Sequence, residues 1–125
     1  MTKETVLVVG LGEIGRALFE LLKEKGSFTV YGLDLDKTKL RATRQDQSKL
    51  PKKIDTMHLC LPCKNQDNYV SPVASYANQF KPNLLIINST VPPGTTKKVQ
   101  QSCKCLVAHS PARFCFRAGA FHLPG

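Results

Sequence analysis

Apolar residues in this chain arrive in short unbroken runs, and between the runs they fall into helical spacing. Residues 5–9 form the first run and end at Gly10. A near-continuous apolar stretch of this length predicts a strand buried on both faces, as in a parallel sheet. Ile14, Ala17, Leu18, Leu21 and Leu22 then recur three and four apart, which predicts a helix with one apolar stripe, stopped at Gly26. Phe28–Leu33 is the second strand run, with Asp34 directly behind it. Residues 56–61, closed by Pro62, and Leu84–Ile87, leading into Asn88-Ser89-Thr90, predict two more strands. Between them, Ser71 and Pro72 read as the N-cap and first position of a helix whose stripe is Val73, Ala74, Ala77 and Phe80. Pro82 ends that pattern, Pro93-Gly94 turns into a short helix around residues 95–101, and residues 106–108 are the last strand visible. Residues 35–53 break the rhythm, with seven basic side chains and only Leu35, Leu40 and Leu50 as larger apolar ones. They predict no more than a short helix, or a brief edge strand near residues 40–43. Strands alternating with helices imply an α/β fold, a mainly parallel sheet with helices on both faces.

The junction between the first strand and the first helix carries the chemistry. Gly10-Leu11-Gly12-Glu13-Ile14-Gly15 is G-x-G-x-x-G, and Asp34 follows Gly15 by 19 residues at the end of the next strand. This is the spacing of a dinucleotide-binding turn, with strand before, helix after and acid about 20 residues on. The first glycine makes the turn, the second lets a pyrophosphate approach the backbone, and the third lets helix and sheet pack closely. The helix N-terminus offers free N–H groups and a positive dipole end to the phosphates. The fold class is therefore read as Rossmann-type and doubly wound, trimmed after the second strand. Residues 1–111 form the dinucleotide-binding domain, and residues 112–125 an apolar tail packing on the domain or at an interface. A glycine turn serving packing alone is the plainer alternative, but strand, helix and acid are all in register.

Asp34 can accept hydrogen bonds from both hydroxyls of the adenosine ribose. Its charge repels a 2′-phosphate, so NAD is expected over NADP. Lys37, Lys39 and Arg41 weaken that preference, since a basic side chain there could receive the extra phosphate. In an open parallel sheet, ligands sit at the carboxyl ends of the strands, where strand order reverses. Leu61-Pro62-Cys63 and Asn88-Ser89-Thr90 should converge there. The hydroxyls of Ser89 and Thr90 either reach toward the nicotinamide half or satisfy their own turn backbone. The residues alone leave both readings open.

Composition narrows the classes. A length of 125 residues fits one domain. With 42% hydrophobic and 22% charged residues, disorder, collagen and coiled coil are excluded. The apolar runs fall far short of the roughly 20 residues that span a bilayer, and no secretory signal pattern is visible. Five cysteines, an odd number, then point to free thiols and a cytoplasmic location. Cys60, Cys63, Cys103 and Cys105 could supply four thiolates to zinc. Cys60 sits in a strand run, however, where a small thiol packs well, and no metal is expected. The net charge of +9 is uneven: residues 1–67 carry 12 basic and all 9 acidic side chains, and residues 68–125 carry 6 basic and none acidic. These basic residues are not interleaved with aromatics, so nucleic acid is not the expected partner. A phosphate-tolerant face or an acidic partner fits better. His58, mid-strand, reads as a packed core side chain, and His109, at a strand end, has the plausible polar role. Phe114, Phe116, Phe121 and Leu123 have no later element to pack against, which predicts a homodimer.

The wording of several segments adds a resemblance. Val8-Val9-Gly10-Leu11-Gly12, Leu33-Asp34-Leu35-Asp36, Ile54-Asp55 before the third strand, and His109-Ser110-Pro111 are landmarks in a familiar order. Asn88-Ser89-Thr90-Val91-Pro92-Pro93-Gly94-Thr95-Thr96 is the most specific of them. From about residue 6 to residue 111 the chain resembles the N-terminal NAD-binding domain of the UDP-glucose/GDP-mannose dehydrogenase family. That family oxidises the C6 alcohol of a UDP- or GDP-sugar to a carboxylate, with two NAD per turnover and a thiohemiacetal on a catalytic cysteine. By resemblance, Gly10, Leu11, Gly12, Glu13, Ile14, Gly15 and Asp34 line the adenosine and pyrophosphate. Leu61, Pro62, Ser89 and Thr90 approach the nicotinamide ribose, and Thr90 matches the position whose hydroxyl helps hold a catalytic water.

The departures concern the substrate side. Ala112 stands where the family carries Glu, so a carboxylate for substrate binding or acid/base work is missing. The loop after the third strand reads Leu61-Pro62-Cys63-Lys64 instead of V-P-T-P, and the stretch after Asp36 is shorter than the family's. Cys115-Phe116 echoes the catalytic-cysteine segment without its glycines, Lys or Asp, and is read as chance. The expectation is a domain that binds NAD(H) and meets a nucleotide sugar only with a second domain or chain. The alternative is a non-catalytic NAD-sensing or assembly module.

Overall fold

In the computed structural model, residues 3–45, 47–110, 113–115 and 120–122 are described. Strand β1 (Glu4–Val9) leads to helix α1 (Glu13–Lys25) and strand β2 (Phe28–Leu33). A five-residue helix α2 (Lys37–Arg41) and a 3₁₀ turn (Gln47–Lys49) connect to β3 (Thr56–Leu59). Helix α3 (Gln66–Phe80), β4 (Leu84–Ile87), α4 (Thr95–Ser102) and β5 (Leu106–His109) complete the main body. The five strands are all parallel, in the order β2-β1-β3-β4-β5.

Alternation along β1 shows why its apolar run is unbroken. Leu7 and Val9 point into one core with Met57, Leu59, Leu85 and Ile87, covered by Tyr69, Val73, Ala77 and Phe80 of α3 and Val99 of α4. Val8 points the other way, into a smaller core with Leu11, Leu18 and Phe19, against which Leu40 of α2 packs. A strand buried on both faces needs side chains of one kind at every position. Helix α1 stops where expected, at Gly26, whose φ of +69° suits a left-handed C-cap.

The trimming after β2 has a definite shape. Instead of adding a strand outside β2, the chain passes through α2 and returns to pair β3 beside β1. The outer edge of β2 is met by one side chain. Gly32 N–H donates to Gln45 Oε1 at 2.7 Å, and Gln45 Nε2 donates to the Gly32 carbonyl at 2.6 Å. A primary amide thus takes the two hydrogen bonds that one residue of a neighbouring strand would make, on an edge that would otherwise be open to pairing.

Three expectations need correction. Helix α3 begins at Gln66, not at Pro72, because Asn65 caps it, its side chain accepting from Asp67 N (2.9 Å) and Asn68 N (3.3 Å). Pro72 lies inside the helix on its exposed side, where the Asn68 carbonyl that loses its partner is not buried. Strand β3 ends at Leu59, two residues early, as the chain turns away toward Pro62. Residues 106–108 are also not the last strand: β6 (Arg113–Cys115) and β7 (Ala120–His122) pair antiparallel as a separate small sheet. The packing expected of the tail, and the consequence of Ala112, lie outside the described residues.

Candidate functional site

Strand order reverses between β1 and β3, so the carboxyl ends of these two strands diverge into their loops and leave a crevice. Gly10 turns the chain out of β1 with φ +92°, and its N–H donates to the Leu33 carbonyl at 2.8 Å. A Cβ at Gly10 would stand 2.9 Å from the Cys60 carbonyl, so the turn is pressed against the exit of β3. A Cβ at Gly15 would land on the Gly10 carbonyl oxygen, which fixes how closely α1 docks on β1. Gly12 differs from both: a Cβ there would meet nothing within 4 Å. It is the N-cap of α1 and no side chain caps the helix, whose first bond runs from Arg16 N to the Gly12 carbonyl. The first N–H groups of α1 therefore face open space, a ready site for an anion.

Asp34 closes the opposite side. Its Oδ2 accepts from Leu11 N at 2.7 Å and its Oδ1 from Asp36 N at 2.7 Å. Both oxygens are held by backbone donors and each keeps accepting capacity for a ligand hydroxyl. A cleft of about 570 Å³ joins these parts, lined by Gly10, Gly12, Glu13, Ile14, Asp34, Leu61, Pro62, Ser89 and Thr90. Leu11 and Gly15 do not line it. The Leu11 side chain is buried against Gly32, so Leu11 contributes only its N–H to Asp34, and Gly15 contributes close packing. The cleft also includes Lys39 and Cys63, and with them Leu35 and Cys60, which sequence reasoning did not assign to it. Leu35 had a usable signal, as a large apolar residue placed straight after the acid, and it is 89% exposed. Beyond it, a mainly apolar cleft of about 380 Å³ continues between Leu35, Leu61, Pro62, Tyr69, Pro72 and Tyr76. A groove of similar size at the amino ends of the strands, lined by Lys81, Lys104 and Leu106, carries none of these motifs.

The turn after β4 is built from side-chain hydrogen bonds. Ser89 is buried, and its hydroxyl donates to the Leu61 carbonyl and, at 3.3 Å, toward the Leu59 carbonyl. Ser89 does not bond its own turn backbone: its proton crosses the sheet and ties down the exit of β3. Thr90 is exposed on the cleft and makes no hydrogen bond to a described residue. Asn88 links three segments, with Oδ1 2.8 Å from His58 Nδ1 and Nδ2 donating to the Ser110 carbonyl at 2.8 Å. Since the amide nitrogen faces Ser110, His58 carries its proton on Nδ1 and donates it. Burial holds the His58 pKa below its ordinary value, with the Asn88 bond pulling weakly the other way. His58 is thus a packed neutral side chain, while His109 Nε2 lies 3.0 Å from the Ser89 carbonyl and supports the turn. Gln66, the first residue of α3, donates to Thr95 Oγ1 at 2.8 Å and to the Pro93 carbonyl at 3.3 Å, stapling the proline turn to the helix.

The Cys60 thiol is pushed up to about 12 by burial, so it is a packing group rather than a nucleophile. Among the described residues no group of three or more His, Cys, Asp or Glu is placed to hold a metal ion. None of their helices is long and apolar enough to cross a membrane.

No protein-family model matches the chain. It is 38% identical over 78 residues to the UDP-N-acetyl-D-mannosamine dehydrogenase of Methanocaldococcus jannaschii, a match covering 50% of this chain and 18% of that enzyme. Its fold is shared with the solved structure of Mycobacterium tuberculosis 3-hydroxyisobutyrate dehydrogenase with L-serine. The TM-score is 0.74 at 19% identity, over 99% of this chain and 47% of that one. The chain thus spans less than half the length of either relative. Its sequence is partially homologous to a member of the UDP-glucose/GDP-mannose dehydrogenase family, and its fold is Rossmann-like, as in NAD-binding domains.

Proposed function

We propose that this chain is an NAD(H)-binding domain of the nucleotide-sugar 6-dehydrogenase type, incomplete as an enzyme without a substrate domain. The observation that carries this reading is Gly12. Its missing side chain leaves the uncapped N-terminus of α1 open to the one cleft that also holds Asp34, Ser89 and Thr90. Those free N–H groups would hold the pyrophosphate, Asp34 the adenosine ribose, and the apolar cleft past Leu35 the adenine ring. Leu61, Pro62, Ser89 and Thr90 would border the nicotinamide ribose. NAD, when bound, supplies a hydride acceptor. Thr90, exposed and unbonded, is the side chain available to orient a water beside it. The Cys60 thiol is held unreactive by burial, and Ala112 stands where the family carries a carboxylate, so the sugar-oxidising step is assigned to a second domain or chain.

Titration calorimetry tests this directly: NAD(H) should bind, and NADP(H) at least tenfold more weakly. Equal affinities, or none for either, would overturn it. This chain alone should form no NADH with UDP-sugars. The acid-free residues 68–125 favour a second reading, a non-catalytic NAD-sensing or assembly module. Pull-downs with and without NAD separate the two, since a sugar-nucleotide-binding polypeptide supports the first and unrelated NAD-dependent partners the second. A homodimer through the apolar tail belongs to this proposal too, and a monomeric mass by light scattering well above micromolar concentration would remove it.

A further inference from the structure

Among the described residues, Tyr69 carries the buried side-chain polar atom without a hydrogen-bond partner. Its ring belongs to the core under α3 and is only 4% exposed. It lines the apolar cleft behind the Leu61-Pro62 lip, and its hydroxyl is near enough to interact with Ser89, Cys63 and Cys60. Burial pushes the phenol up to about 12, so it stays a neutral O–H at any ordinary pH. A buried hydroxyl left unpaired is destabilising, and such a group in a native protein calls for a structural or functional reason.

The geometry suggests what the cost maintains. Ser89 has its one proton committed to the Leu61 and Leu59 carbonyls, but its oxygen can still accept. The Tyr69 hydroxyl lies close enough to Ser89 to interact with it, but makes no hydrogen bond of normal length and angle. Leu61 and Pro62 separate the two clefts and border both, with Tyr69 lining the apolar one behind them. A small movement of this lip, which Ser89 is bonded to, would change the alignment.

We infer that Tyr69 is a positioning residue for the dinucleotide cleft: a ligand resting on the Leu61-Pro62 lip brings Ser89 Oγ into line with the Tyr69 hydroxyl, and that bond holds the lip against the ligand. The inference rests on the NAD-binding reading. Tyr69→Phe separates it from a structural role, because the two move stability and affinity differently. Without dinucleotide, Tyr69→Phe should unfold at the wild-type temperature or slightly above it, having lost an unpaired hydroxyl. Its NAD affinity should fall about fivefold, the effect of one hydrogen bond. In a Ser89→Ala background, which lacks the accepting oxygen, the same substitution should leave NAD affinity unchanged. Unchanged affinity of the single variant, or parallel losses of stability and affinity, would overturn the inference. So would an undiminished effect of Tyr69→Phe beside Ser89→Ala. Wild-type protein that binds no dinucleotide would refute the NAD reading itself, an outcome seen before any variant is made.

Discussion

In the turn after β1 the shape comes from atoms that are missing, whereas the turn after β4 is held by side chains that reach across the sheet. Gly10 and Gly15 lack the Cβ atoms that would strike Cys60 and the Gly10 carbonyl, and Gly12 lacks one that would fill the cleft. Asn88 and Ser89 instead aim side-chain donors across the sheet, at the carbonyls of Ser110, Leu61 and Leu59. The first turn leaves backbone N–H groups free for a ligand. The second satisfies its own polar groups, leaving Thr90 exposed on the cleft. One wall of the site is thus prepared for a charged ligand by omission, and the other is made rigid by bonding.

The comparison is broken most severely at the glycines. Gly15→Ala places a methyl on the Gly10 carbonyl oxygen, with the Cys60 Cβ beside it and no flexible side-chain end to yield. Overpacking typically costs 1–3 kcal/mol, and a backbone clash should reach about 3 kcal/mol or more, visible as loss of the cooperative transition in urea. Gly12→Ala has free space and an ordinary φ of −71°. Its unfolding midpoint should move by less than about 1 kcal/mol, the scale of an N-cap change, while NAD affinity falls at least tenfold in calorimetry. Two identical substitutions three residues apart would then separate packing from binding. If Gly12→Ala binds NAD normally, the open N-terminus of α1 is not the phosphate site.

These glycines were legible in the sequence because their demands are local. A positive φ at Gly10 and a close approach at Gly15 follow from a turn of six residues, and Asp34 follows from strand length. The lesson differs elsewhere. Gln45 clasps Gly32 from 13 residues away, and His58 meets Asn88 from 30 residues away. Neither pairing shows in periodicity, since each depends on which strands become neighbours and in what register. The start of α3 is hidden for another reason: Pro72 is a strong helix-start signal in isolation. Asn65 prevails because its cap satisfies two N–H groups, and the bond lost at Pro72 falls on an exposed side.

The next effect in size tests the bonded wall. Asn88→Ala leaves the His58 Nδ1–H without its acceptor in a buried site and strips the Ser110 carbonyl of a donor. Such unpaired groups cost about 1–3 kcal/mol each, so an unfolding loss near 2 kcal/mol is expected. Burial of the same His58 makes stability depend on pH. His58 has a folded pKa below its unfolded value of 6.5, so the unfolded chain binds the proton more readily. Its contribution is complete above pH 6.5 and is lost as pH falls from there toward the folded pKa. Urea titrations at pH 7.5 and 5.5 should show a lower midpoint at the acid pH, and His58→Gln should reduce the difference. An unchanged difference in that variant would place the acid sensitivity on other groups.

The smallest effects divide Ser89 from Thr90, two neighbouring hydroxyls that a sequence cannot tell apart. Ser89→Ala removes the donor that holds the Leu61 and Leu59 carbonyls, and should cost about 1 kcal/mol of stability. Thr90→Ala removes an exposed hydroxyl bonded to no described residue, and its unfolding should stay within about 0.5 kcal/mol of wild type. Under NAD titration the two should differ in the signature of the loss. Ser89→Ala weakens binding because the lip it fastens is loosened, so its deficit should shrink on cooling as the lip orders. Thr90→Ala should weaken it by a contact, with a deficit that barely changes with temperature. If Thr90→Ala destabilises the fold as much as Ser89→Ala, the division of the turn into a bonded residue and a ligand-facing one is wrong. The contrast between the two walls of the cleft would then reduce to the glycines alone.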